Sequence, residues 1–185
     1  MVIFQRPEVP HWIDRLRGLI QADTDLPRAV TVVFATHGLL PHEMGIGSEP
    51  GLVLTPPGTA SAEDDGLLTA SEAAALSLSA KWVVLSACNT AAAGGAAQEA
   101  VSGLGRAFFY AGAKSLLVTA WAVETESARM LTTEAFRRQV ADPSLSRAMA
   151  LRLSSLTLMG KTAPGGFSYA HPMFWAPYML VGDGG

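Results

Sequence analysis

Three observations predict an α/β fold with a sheet built of parallel units. From Thr31 onward, short β-branched apolar runs alternate with longer segments patterned at helical spacing, the pattern left by strand–helix–strand crossovers. The clearest runs, at 31–35, 82–86 and 115–119, are nearly continuous in apolar character rather than alternating, which suits strands covered on both faces. The chain has 185 residues, of which 49% are apolar and 16% charged, enough to bury a sizeable core within the span of one domain.

The elements follow in order from local signals. After the strand at 31–35, Thr69-Ala70-Ser71-Glu72 has the capping-box spacing and Leu68 precedes it as a hydrophobic staple, so a helix is expected over 71–78. The strand at 82–86 leads to a helix in which Ala97, Val101, Leu104, Phe108 and Ala111 recur at steps of four and three on one buried face, with Gly112 ending it. The strand at 115–119 leads to a third helix over 125–140. Asp142-Pro143 then supplies a cap and a first-turn proline for a fourth helix, with Leu145, Met149, Leu153 and Leu156 as its apolar stripe. The segment 174–181 reads as a last strand, placed at a sheet edge or entered through Pro177, because proline cannot donate a ladder hydrogen bond. Segments 39–66 and 160–171 carry proline and glycine clusters and read as loops, candidate rims of a site. Upstream of Thr31, Trp12, Ile13, Leu16, Leu19 and Ile20 outline one amphipathic helix, preceded by Val2-Ile3-Phe4 as a short strand.

Composition removes several function classes. A formal net charge of -3 argues against a broad basic surface for nucleic acid. The apolar runs are far shorter than the roughly 20 residues a membrane-spanning helix needs, and the N-terminus lacks the pattern of a secretion signal. One cysteine, Cys88, leaves no intrachain disulfide and no multi-cysteine zinc site, so a reducing cytoplasm is the expected setting. No two histidines or carboxylates have metal-ligand spacing on a helix, Gly94-Gly95 lacks the residues of a phosphate loop, and no cofactor is expected.

In open α/β sheets, sites form outside the carboxyl ends of the strands. Two reactive side chains occupy such positions: His37, after the strand at 31–35, and Cys88, after the strand at 82–86. Adjacent parallel strands would bring both to one cleft. A thiolate is the nucleophile and needs a base or a positive neighbour, a role that histidine fills near neutrality. The backbone N–H of Gly38, beside the histidine, and that of Cys88 would bind a developing oxyanion, a contribution of roughly 3 kcal/mol for one donor. The alternative is bland, since a lone cysteine at a strand end is commonly a small buried hydrophobe.

Four blocks, Ala35-Thr36-His37-Gly38, Leu85-Ser86-Ala87-Cys88-Asn89-Thr90, Gly105-Arg106-Ala107-Phe108-Phe109-Tyr110-Ala111-Gly112-Ala113, and His171-Pro172 with Phe174-Trp175-Ala176-Pro177, resemble the CHAT domain family in type and order. These are caspase-like domains often attached to TPR repeats. The resemblance implies a three-layer caspase-haemoglobinase-like sandwich over 31–185, with 1–30 an N-terminal helical segment or a remnant of the upstream part of the domain. It implies cysteine endopeptidase chemistry on a protein substrate, with His37 and Cys88 catalytic, Gly38 as the oxyanion glycine, and regulation by a TPR or other domain or a partner chain. Trp121-Ala122-Val123-Glu124 is similar to a family stretch that lines the pocket for the residue before the cleaved bond. Glu124 or Glu126 would there accept a basic side chain, unless both simply start a helix. Ser86 would face the same pocket.

Asp64 and Asp65 read as solvated, His42 and Glu43 as rim or plain surface, and His171 as packing or capping. The family domain normally has more strands upstream of its histidine. With only 30 residues before Thr31, an open sheet edge beside the 31–35 strand is expected, available to a partner chain or to a homodimer. The alternative function is a CHAT interaction or scaffolding module without turnover.

Overall fold

The computed structural model describes residues 2–4, 30–34, 36–39, 48–54, 59, 61, 65–85 and 96–185. In chain order its elements are β1 (Val2–Phe4), β2 (Val30–Phe34), β3 (His37–Leu39), β4 (Gly51–Val53), β5 (Leu67–Thr69), α1 (Ala70–Ala74), β6 (Ala80–Leu85), α2 (Ala96–Tyr110), β7 (Ser115–Thr119), α3 (Thr125–Ala141), α4 (Arg147–Met159), a 3-10 turn (Pro172–Phe174) and β8 (Tyr178–Gly182). The expected amphipathic helix through Trp12 and Ile20 lies outside the described residues.

Among the described residues, the main sheet has five strands in the order β1-β2-β6-β7-β8. Its first three pairings are parallel and the last, β7 with β8, antiparallel. Pleating sends successive side chains to opposite faces, and both faces are covered. On one, Val32, Phe34, Val83, Leu85, Leu116 and Val118 pack against Leu104, Ala107 and Phe108 of α2, with Leu52, Leu68 and Ala73 beside them. On the other, Trp82, Val84 and Leu117 meet Leu131 and Ala135 of α3, Leu158 of α4, and Tyr169, Phe174 and Tyr178. All five residues of β7 are buried. Double coverage is why these strands read as continuous apolar runs, and it makes the molecule an α/β protein in which helices flank a mostly parallel sheet.

The edge expected to be open beside the 31–35 strand is occupied. β1 pairs with β2 in parallel, Val2 opposite Val32 and Phe4 opposite Phe34. The strand signal in Val2-Ile3-Phe4 is real, and among the described residues this segment, not β2, forms that margin.

α1 forms where its cap requires. The Thr69 hydroxyl oxygen accepts from the Glu72 amide while the Glu72 carboxylate accepts from the Thr69 amide at 2.9 Å. It ends at Ala74, short of the expected 78, because the chain turns to give the Leu78 N–H to the Ala111 carbonyl, and Leu76 and Leu78 pack on the core. That contact fixes Gly112, which adopts φ +104° and whose hypothetical Cβ would lie 2.2 Å from the Leu78 oxygen.

α4 differs more. Its N-cap is Ser146, whose Oγ accepts from the Met149 amide at 3.1 Å. Asp142 closes a separate turn, accepting from the amide and hydroxyl of Ser144. The buried face is Ala150, Ser154 and Leu158, leaving Met149 and Leu156 exposed. Small residues let α4 approach α3 closely, and Ser154 satisfies its hydroxyl on the Ala150 carbonyl at 2.7 Å, so the expected stripe is rotated away from the core.

Two other expectations change. The segment 39–66, expected to be a loop, contains β4, and with β3 and β5 it builds a second, three-stranded antiparallel sheet. The last strand starts at Tyr178 rather than 174, because His171 caps a 3-10 turn, its Nδ1 accepting from the Met173 amide at 3.2 Å, that drives Phe174 into the core. Pro177 immediately precedes β8, and its carbonyl accepts from Ala120 at 2.8 Å. Among the described residues, no helix is long and apolar enough to cross a membrane.

Candidate functional site

Strand register organises the carboxyl end of the main sheet. Phe34 pairs with Leu85 and Leu85 with Val118, which puts these three on one row across β2, β6 and β7. His37 is the third residue after Phe34, Trp121 the third after Val118, and Cys88 the third in sequence after Leu85. Neighbouring strands are about 4.8 Å apart, so the row itself spans about 10 Å. Cys88 and Ser86 lie outside the described residues, as do His42, Glu43 and Asp64.

His37 is exposed and opens β3, opposite Val53 of β4; Gly38 behind it is buried opposite Leu52. The Thr36 hydroxyl donates to the Val53 carbonyl, anchoring the backbone just before the histidine. β4 is held in turn from its other side. Leu54 donates to the Gly66 carbonyl at 2.7 Å, Ala70 to that of Pro50 at 2.9 Å, and the Glu49 carboxylate accepts from both the amide and hydroxyl of Ser71 at 2.8 Å. Thr36 and Glu49 are supports that sequence reading missed. Thr36 sits in the Ala35-Thr36-His37-Gly38 segment, whereas nothing near Glu49 signals a partner 22 residues away.

On the far side of the row, the Trp121 indole N–H donates to the Met173 carbonyl at 3.2 Å. Glu124 is the N-cap of α3: its Oε1 accepts from the Glu126 amide at 2.9 Å and its Oε2 from the Ser127 amide at 2.7 Å. Partial burial pushes its carboxyl up, but the hydrogen bonds from Ser127 and Glu126 outweigh this and hold it below the ordinary carboxylate range. Glu126 is half-buried and forked onto Arg129 at 2.6 and 2.9 Å. The hydrogen bond from Arg129 lowers its carboxyl as well. Asp65 accepts from the Leu67 amide at 2.8 Å in the turn leading into β5.

Fold and rim together define an α/β domain whose parallel strands release an exposed histidine and an exposed tryptophan at one end. Comparison with protein families matches residues 14–183 to the CHAT domain. The chain belongs to the CHAT domain family, a caspase-like family. No curated protein matches the chain.

Proposed function

We propose that this chain is a cysteine endopeptidase of the caspase-like CHAT type, with Cys88 as nucleophile and His37 as general acid/base. The observation that carries the reading is the row Phe34, Leu85, Val118. The histidine follows one of its strands and the cysteine its neighbour at the same interval in sequence, and three residues of chain reach at most about 10 Å. Family membership supports the same pair.

The Cys88 thiolate attacks the carbonyl carbon of a peptide bond, forming a C–S bond and a tetrahedral oxyanion that the backbone N–H groups of Gly38 and Cys88 stabilise. Collapse breaks the C–N bond, and protonated His37 gives its proton to the leaving amine. His37 then takes a proton from water, the resulting hydroxide attacks the thioester carbon, and breaking of the C–S bond returns the Cys88 thiolate and a carboxylic acid that loses its proton to solvent. Trp121, with Ser86, borders the substrate beside the cleaved bond. A partner chain or a TPR or other attached domain switches the site on, and a single working thiolate suits the reducing cytoplasm.

Iodoacetamide labelling followed by mass spectrometry tests the pair. Rapid modification of Cys88 in the folded protein is expected, slowed in His37→Ala, with peptide hydrolysis falling by about 10²–10⁴ when the acid/base group is removed. A thiol that stays unmodified until denaturant is added would assign the chain to the scaffolding reading instead.

A further inference from the structure

We infer that the subsite next to the cleaved bond selects an uncharged apolar side chain, and that Trp121 and Met173 form its walls. The inference rests on the peptidase reading above and deepens it. Trp121 stands at the same interval past the register row as His37 does, on the outer of the three parallel strands concerned. Met173 reaches the same end of the sheet because β8 runs antiparallel, so the turn that precedes it lies beyond the carboxyl end of β7.

Both side chains are exposed, Trp121 to 40% and Met173 to 52%, although each is large and apolar. Their bases are rigid. The indole N–H is spent on the Met173 carbonyl, so the exposed part of Trp121 offers only hydrocarbon and π surface. Below Met173, Phe174 is stacked on Phe167 with centroids 5.5 Å apart and meets Tyr169 edge-on at 5.0 Å. A preorganised apolar surface of this kind loses little on binding an apolar group.

Charge points the same way. The two carboxylates nearest in sequence, Glu124 and Glu126, are already committed, the first to two backbone amides and the second to Arg129. A lysine or arginine of the substrate would have to share these oxygens with the donors already bound to them. The occupant that fits is therefore a residue such as leucine, methionine or phenylalanine, not the basic residue that the sequence of this stretch suggests.

Peptidyl acyloxymethyl ketones that differ only in the residue next to the warhead, leucine, phenylalanine, arginine or aspartate, test this by their rates of adduct formation at Cys88. The leucine or phenylalanine reagent is expected to react about tenfold or more faster than the arginine reagent. Trp121→Ala and Met173→Ala should each cut that ratio about fivefold or more, whereas Trp121→Phe keeps it. Because the ratio is taken within one variant, a partly unfolded preparation does not mimic the effect. A preference for arginine or aspartate, or a ratio untouched by both alanine substitutions, would overturn the inference and leave the peptidase reading standing. If no peptidyl reagent outpaces iodoacetamide, the peptidase reading falls, and this inference with it.

Discussion

Glu124 shows how one side chain decides between two chemistries. A carboxylate after a strand can wait for a cationic substrate or open a helix, and local sequence is the same for both. Both oxygens accept from amides of the first turn of α3, where the positive end of the helix dipole adds to the attraction. Glu124→Ala should cost about 1 kcal/mol, which for a domain of this size lowers Tm by about 2–4 °C at neutral pH. The carboxyl lies below its ordinary value when folded. Its stabilisation is therefore complete above the ordinary range near pKa 4.3 and is lost as pH falls through the lower folded-state value. Melting of Glu124→Gln beside the native protein at pH 7 and pH 3 checks the sign: the gap should narrow in acid, and a pH-independent gap would contradict the capping role. At this scale His37 was legible because a reactive side chain followed a strong strand. Thr36 and Glu49 were not, because their partners, Val53 and Ser71, come from elements distant in sequence.

Among the elements, the best-read ones carry a strong period or a cap. β7 was placed to the residue and α3 to within one. β3, β4 and β5, of three residues each, lack the β-branched and aromatic run that marks β1, and exist because each satisfies its neighbour's backbone. α4 failed differently: large apolar residues outline a stripe, but contact with α3 selects the face with small ones. Ala150→Leu should then destabilise by about 1–3 kcal/mol through overpacking, while Met149→Lys changes stability by no more than about 0.5 kcal/mol; urea unfolding that ranked them the other way would restore the sequence-based stripe. The turn between α2 and β7 offers a sharper case. At Gly112 a methyl group would strike the Leu78 carbonyl, and φ is +104°, so Gly112→Ala should cost roughly 3 kcal/mol in the same experiment.

For the whole molecule, the consequence lies at the sheet margin. β1 covers a strand that the sequence suggested would be open, and its pairing runs residue for residue from Val2 opposite Val32 to Phe4 opposite Phe34. Removing residues 1–4 should bare the edge of β2 and raise self-association, seen by light scattering as a larger mass than that of the full chain. Equal masses would show that β1 does not protect that edge. The α/β class and the place of His37 just past the second strand were legible in sequence alone, since apolar periodicity and strand-end position are local properties of the chain. Tertiary structure alone decided which strand lies at the margin, which face of α4 is buried, and the second sheet that holds His37. Each of these depends on a partner brought close only when the chain folds, and no window of neighbouring residues contains that partner.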